Sequence, residues 1–324
     1  MRKAPGRFLW FGPATVLVGL ILSLLWLLYP PLPASAHLSL RSRYVWQSDF
    51  KGFGGLSGLL MGKDGQDLIA LSDHARLFKA AITRDQAGAI TDLRITGQEG
   101  LMNRNGRPLT HFNSDAEDLA PDGGTGSLWV AFEGLTRVAR YPAALNKAQG
   151  RIGKPLHAWN HFEARFGNAG FEAIAPMPGD KILAIAEATV AALDTGPGAP
   201  TFLYDGHKWT TAFSIPAPDG YAVSSADLGP DGQLWLLERR VGWAGFVTRI
   251  RRFPLIWIGA SLNLGPGETL LEGRLGGRDN FEGLSLWRDA KGDTVASLIT
   301  DDGYNFWQRT LILEFDLRDQ ALAR

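Results

Sequence analysis

Cysteine is missing from all 324 residues, which excludes disulfides, thiolate metal sites and a cysteine nucleophile. Net charge is missing as well, since 33 basic side chains face 33 acidic ones. The first 36 residues hold three basic and no acidic side chains, so the rest of the chain carries a net charge of about −3. That balance argues against nucleic acid as a partner and against polybasic contact with a membrane. No G-x-S-x-G elbow, P-loop, dinucleotide glycine fingerprint or H-E-x-x-H motif occurs. Long amphipathic helical stretches are absent too. What remains is a series of short apolar runs bounded by Gly, Pro and Asp, which points to an all-β fold.

Residues 1–36 stand apart. Arg2, Lys3 and Arg7 precede an apolar run from Phe8 to Tyr29, followed by Pro30, Pro31, Pro33 and the triplet Ala34-Ser35-Ala36. This order is that of a signal peptide cut after Ala36. The run is 22 residues, near the ~20 that span a bilayer, so a retained N-terminal membrane anchor is the alternative. Either way the remainder, residues 37–324, is expected to be exported, periplasmic or secreted, as one domain. Its membrane contact is limited to residues 8–29 if they stay. Export without disulfides fits a bacterial type of envelope protein.

Within that domain one tetrapeptide returns five times: Gly54-Gly55-Leu56-Ser57, Glu117-Asp118-Leu119-Ala120, Glu172-Ala173-Ile174-Ala175, Ala226-Asp227-Leu228-Gly229 and Glu282-Gly283-Leu284-Ser285. The spacings are 63, 55, 54 and 56 residues, a period that marks a propeller or another repeat array. Each copy leads through a Gly/Asp turn into a second apolar run, as in Pro121-Asp122-Gly123-Gly124 before Leu128 to Phe132. Four strands per unit predict a β-propeller with five blades. A sixth blade over Gly97–Asn113 is the alternative, although that stretch reads as a polar loop. The segment Leu38–Trp46 has no partner of its own and is expected to complete the last blade, closing the ring and protecting its edges.

In a blade the start of the first strand and the end of the second share one face. Strand starts carry Glu117 with Asp118, Glu172, Asp227 and Glu282. Second-strand ends carry Asp73, Glu133, Glu187, Glu238 and Asp301 with Asp302. The acids therefore gather at one channel mouth, where Asp73, Glu117, Asp118, Glu133, Glu172, Glu187, Glu282 and Asp301 are candidate ligands for a hard ion, Ca²⁺ above all. The same acids can instead accept backbone N–H groups and hold the blades together. Arg76, Arg137 and Arg239 share that rim as candidate forks for an anionic, including a phosphorylated, small molecule, or as members of surface ion pairs. His74, beside Asp73, is the best-placed histidine for acid–base work. Because blades one and four lack the acid at the tetrapeptide's first position, the site is expected to centre on blades two, three and five.

These residues resemble the phytase-like proteins, a bacterial family labelled for esterase-like activity of phytase. The likeness lies in Gly55-Leu56-Ser57-Gly58-Leu59 with Ala70-Leu71-Ser72-Asp73, in Asp115 to Ala120, in Leu128 to Gly134 and in Phe281-Glu282-Gly283-Leu284. It runs over roughly Ser48 to Asp316, and departs from the family where Asp118 replaces a glycine. The resemblance implies a secreted β-propeller and, by analogy with propeller phytases, a Ca²⁺-dependent phosphoesterase. Two functions stay open. One is a Ca²⁺-assisted hydrolase of a phosphoric or carboxylic ester, with Glu117, Glu172, Glu282 and His74 as catalytic candidates. The other is a non-catalytic envelope propeller that binds a ligand or protein with the same face.

Overall fold

The computed structural model describes residues 17–19, 31–110, 113–123, 126–142, 150–152, 170–186, 198–243, 245–305 and 308–318. Five four-stranded antiparallel sheets form the five blades. The first strand, β1 (Leu38–Val45), waits for a partner at the far end of the chain. Blade 1 follows as β2 (Leu56–Met61), β3 (Asp67–Ser72), β4 (Arg76–Arg84) and β5 (Ile90–Gly100). Blade 2 comprises β6 (Ala116–Pro121), β7 (Leu128–Phe132), β8 (Arg137–Tyr141) and β9 (Gly150–Ile152). Blade 3 comprises β10 (Phe171–Met177), β11 (Lys181–Ala186), β12 (Ala199–Tyr204) and β13 (Trp209–Ile215).

Blade 4 begins with β14 (Ala222–Leu228), β15 (Leu234–Gly242) and β16 (Gly245–Phe253). A hairpin of β17 (Leu255–Ile258) and β18 (Ser261–Leu264) intervenes before its fourth strand, β19 (Glu268–Gly273). Blade 5 takes β20 (Asn280–Arg288), β21 (Thr294–Asp301) and β22 (Leu311–Leu317). Its outer strand is β1, with Leu38 opposite Leu317 and Val45 opposite Leu311. The N-terminal strand thus closes the ring as the sequence implied. No sixth blade occurs among the described residues, the only other sheet there being the two-stranded β17–β18 hairpin. Gly97–Gly100 extends β5, and Met102 bridges Pro108 in a turn.

Apolar side chains fill the spaces between blades rather than one central core. One cluster packs Leu59, Phe78, Trp287 and Ile299 between blades 1 and 5, and another packs Leu183, Phe213, Leu236 and Phe253 between blades 3 and 4. Residues expected to leave with the leader also take part. Ser35 Oγ donates to the Leu270 carbonyl at 2.6 Å and accepts from the amides of His37 and Leu38, and Leu32 packs on the cluster between blades 4 and 5. No helix among the described residues is long and apolar enough to cross a membrane.

All five innermost strands carry the same irregularity. The pairing skips one residue near the strand start, at Ser57, Glu117, Glu172, Ser224 and Glu282. Such a bulge bends the strand and re-aims its side chain. It also corrects the alignment of two repeats. The structural counterpart of Glu117 is Ser57 in blade 1, not Gly54, and Ser224 in blade 4, not Ala226. Asp227, expected at a strand start, is the penultimate residue of β14 and lies toward the opposite mouth.

The residue after each bulge faces the axis: Gly58, Asp118, Ala173, Ser225 and Gly283. All but Asp118 are small because the strands meet there. A Cβ on Gly58 would lie 2.5 Å from Leu119 Cδ2, and one on Gly283 would lie 3.0 Å from the Leu59 nitrogen. Asp118 occupies the space the others leave.

Candidate metal centre at the acidic mouth

The bulge sets three positions at one mouth: the bulged residue, the residue two before it, and the residue opposite that one on the second strand or its extension. Blade 2 fills them with Glu117, Asp115 and Glu133, and the Glu133 amide bonds the Asp115 carbonyl at 3.0 Å. One ligand atom from each of these three acids lies within 4.8 Å of the other two, and all three side chains are half-buried. Glu117 is pushed up to about 11, by burial first and then by the charges of Glu172, Glu282, Asp115 and Glu133. Three carboxylates so placed form an oxygen-only donor set suited to a hard cation, which relieves their mutual repulsion. The residues fit Ca²⁺.

Blade 5 fills the same positions with Asn280, Glu282 and Asp301, and Asn280 is opposite Asp301. Glu282 is raised to about 7 by burial, against the lowering effect of Arg239, while Asp301 and Asp73 push it up. Arg239 Nη1 forms a short ion pair with Glu282 and bonds Asn280 Oδ1 at 2.8 Å. Blade 4 therefore contributes a cation where blades 1, 2 and 5 have acids, and its remaining two positions are Ala222 and Ser224. Glu172 of blade 3 is buried near Glu117. Glu187 lies outside the described residues.

In blade 1 the positions hold Gly55, Ser57 and Asp73. The double glycine has a steric reason. Gly54 and Gly55 adopt φ of 127° and 57°, and a Cβ on Gly55 would sit 2.5 Å from the Tyr304 ring. The β21–β22 connection crosses here, with Asp302 accepting from the Gly55 amide at 2.9 Å. Tyr304 donates to Asp73 at 3.0 Å and meets His74 Nδ1 at 2.7 Å. Burial raises Asp73, and the charge of His74 lowers it. Burial also raises Tyr304, and Asp73 adds to that shift.

The structure thus brings Asp73, Glu117, Glu133, Glu172, Glu282 and Asp301 to one mouth with His74 and Arg239. It does not bring Asp118 to them. Asp118 is fully buried and accepts from the amides of Leu119 at 2.9 Å and Ile174 at 3.0 Å, and from Ser225 Oγ at 3.2 Å. Burial drives this carboxyl well upward and the donors pull it back. Its geometry ties blades 2, 3 and 4 together at the axis. Arg137 is buried against the Phe132 ring and donates to the carbonyls of Leu135 and Asn113, so it clamps the loops that carry Asp115 and Glu133. Arg76 opens β4 at the same end, where its amide bonds Ser72 Oγ.

Glu238, read as a rim acid, is one residue too early. It pairs with Val223 and is held by Arg249 and Arg251 inside the blade, and Arg239 takes the rim position. Strand alternation makes that single step decisive, because it reverses the face. Asp115, Asn280 and Tyr304 join the site without having been nominated. Asp115 had a signal, the alternating acids of Asp115-Ala116-Glu117. Tyr304 had none, because its place depends on a contact between blades 5 and 1.

The fold and this mouth define a five-bladed propeller with a carboxylate cluster at one end of its channel. The sequence matches the family described as Phytase-like, esterase-like activity of phytase, over residues 51–304. The chain belongs to that family. No curated protein matches its sequence. Among solved structures it resembles the crystal structure of RRP9 WD40 repeats, at 12% identity and a TM-score of 0.43, covering 89% of this chain and 99% of that one. It also resembles Kuenenia stuttgartiensis hydrazine synthase, at 11% identity and a TM-score of 0.40, covering 80% of each chain.

Proposed function

We propose that the acidic mouth binds Ca²⁺ and hydrolyses a phosphoric or carboxylic ester of an anionic small molecule. The observation that carries this reading is the Asp115–Glu117–Glu133 cluster, whose oxygens converge within 4.8 Å and whose central acid is pushed up to about 11. These three residues hold the ion, and Glu172 deepens the negative field around it. A bound divalent cation supplies positive charge against the ester oxygen that becomes anionic. Arg239, fixed by Asn280 and Glu282, presents a guanidinium beside the cluster for an anionic group. His74 engages Tyr304 through Nδ1, leaving Nε2 on an exposed ring to exchange a proton.

The resemblance and the leader sequence support an exported, periplasmic or secreted protein, freed from residues 1–36 or anchored by residues 8–29. A panel of aryl phosphates and aryl carboxylic esters, run with Ca²⁺ and with chelator, tests the reading. Turnover that needs Ca²⁺ and collapses in Glu117→Gln is expected. No turnover on any ester sinks the hydrolase reading, and unchanged turnover in Glu117→Gln removes the cluster from the mechanism.

A further inference from the structure

The opposite mouth of the channel opens into a cavity of about 810 Å³ that extends beneath blade 1. All five blades line it, and its walls are mainly apolar: Leu60, Ala81, Leu228, Leu286 and Trp287. Its size lies within the ~300–1,000 Å³ usual for small-molecule sites. Asp118, filling the axis, separates it from the acidic mouth.

Polar chemistry in this cavity is ordered by depth. Blades 2, 3 and 4 contribute Pro121, Pro176 and Pro230, which have no N–H to offer a ligand. Asp227 stands at the axial end. One of its oxygens accepts from the Leu228 amide at 2.8 Å and the other from the Leu286 amide at 2.7 Å. Each oxygen keeps lone-pair capacity beyond that bond. Although burial pushes Asp227 up to about 7, above that pH, or beside a cation, the ionised carboxylate only accepts. At the margin the charges are mostly positive. Lys79 is paired with Glu99 at 3.1 Å, Arg288 donates to the Gly292 carbonyl at 2.9 Å, and Lys63 and Asp67 flank one turn. This gradient orients a guest with its cationic end inward and its neutral or anionic end outward.

We propose that this cavity is a second binding site, for an organic cation with an apolar body, whose ammonium group bonds the Asp227 carboxylate while the body lies along Leu228, Leu286 and Trp287. It is independent of the acidic mouth and of any hydrolysis there. The head group decides affinity: an alcohol of the same shape loses the charge-assisted bond, and a carboxylate meets the repulsion of Asp227.

Isothermal titration of the full chain with 4-phenylbutylamine, 4-phenylbutanol and 4-phenylbutanoate tests this, in the presence of Ca²⁺. One saturable site for the amine is expected, at least tenfold tighter than for the alcohol, with no heat from the carboxylate. Ala81→Phe, which fills the cavity from β4, abolishes binding. Asp227→Asn removes the preference for the amine. If Asp227→Asn does not fold, Ala81→Phe with native circular dichroism still decides the matter. Glu117→Gln leaves binding unchanged. Equal affinity for the three head groups, binding that survives Ala81→Phe, or binding lost in Glu117→Gln overturns the proposal; the last would place the cation at the acidic mouth.

Discussion

At the acidic mouth blade 2 presents Asp115, Glu117 and Glu133, whereas blade 4 presents Ala222, Ser224 and Arg239 on the same three backbone positions. The pairing that skips Glu117 in β6 also skips Ser224 in β14. Ser224 spends its hydroxyl on the carbonyls of Leu237 and Phe281, at 3.3 and 3.2 Å, joining its own blade to blade 5. Glu117 has acids around it and is pushed up to about 11. One backbone device thus serves cohesion in blade 4 and concentrates charge in blade 2. The ring is a scaffold with repeated slots, and the chemistry depends on what fills them.

The largest expected effect separates the two slots directly. Glu117→Gln should lower Ca²⁺-dependent ester turnover roughly 100-fold or more, because it removes a ligand from the cluster. Ser224→Ala should leave turnover within about twofold and cost about 1 kcal/mol of stability in urea unfolding. Similar losses of turnover in both variants would mean that the blades do not differ as described.

The next effect concerns the axis, where blade 2 supplies Asp118 and blade 4 Ser225. Asp118→Asn should destabilise the fold by about 3 kcal/mol, since an amide cannot accept from all the donors around it. Ser225→Ala should cost about 1–2 kcal/mol, through the bonds to Asp118 and to the Leu284 amide. Urea midpoints at pH 7 compare the two, and a larger loss in Ser225→Ala would reverse the ranking.

A smaller effect comes from the cation of blade 4. Arg239→Met should cost about 2 kcal/mol at pH 8, where it strands the Glu282 carboxylate, and much less at pH 5, where that carboxyl is protonated. The sign for wild type follows from the same residue. Glu282 has a folded value of about 7 against 4.5 in an unperturbed chain, so the folded state holds its proton to higher pH. Its contribution is full below 4.5 and is lost as pH rises through 7. Without calcium, stability should therefore fall between pH 5 and pH 8, by no more than about 1.4 kcal/mol per pH unit for one proton. Stability that climbs over this range in chelator would contradict the burial of Glu282. The smallest effect lies at the N-terminus. A chain starting at His37 should be about 1 kcal/mol less stable than one starting at Pro31, because it lacks the Ser35 hydroxyl. Equal thermal midpoints would show that residues 31–36 add nothing.

The architecture was legible because each blade repeats its turn chemistry and its apolar runs, and the lone strand at Leu38 had to find a partner. Register was less legible. The tetrapeptide that marked the repeats fits the bulge in blades 2, 3 and 5 but slides in blades 1 and 4, where Gly-Leu and Asp-Leu imitate it. The slip in blade 4 misplaced Asp227, and Glu238 was put where Arg239 stands because it directly follows the apolar run Leu234–Leu237. Asp118 carried two readings, metal ligand and acceptor of backbone N–H groups, and its contacts are those of the second. An acid in a row of acids looks like a ligand, and only the approach of Ile174 and Ser225 shows it to be a fastener. Tyr304 and the need for Gly55 beneath it were invisible, since both arise where blade 5 crosses blade 1.

Thermal unfolding followed across a calcium titration at pH 8, for wild type and Glu117→Gln, tests the cluster most directly. In wild type the midpoint should rise with calcium, corresponding to about 2.7 kcal/mol at one hundred times the dissociation constant. Chelator should return it to its starting value. In Glu117→Gln the calcium-free protein should unfold at a higher temperature than calcium-free wild type, because folding at pH 8 no longer has to protonate a carboxyl pushed up to about 11, and calcium should add little. A wild-type midpoint that ignores calcium, or a variant that responds as strongly as wild type, would contradict a cation site at Asp115, Glu117 and Glu133.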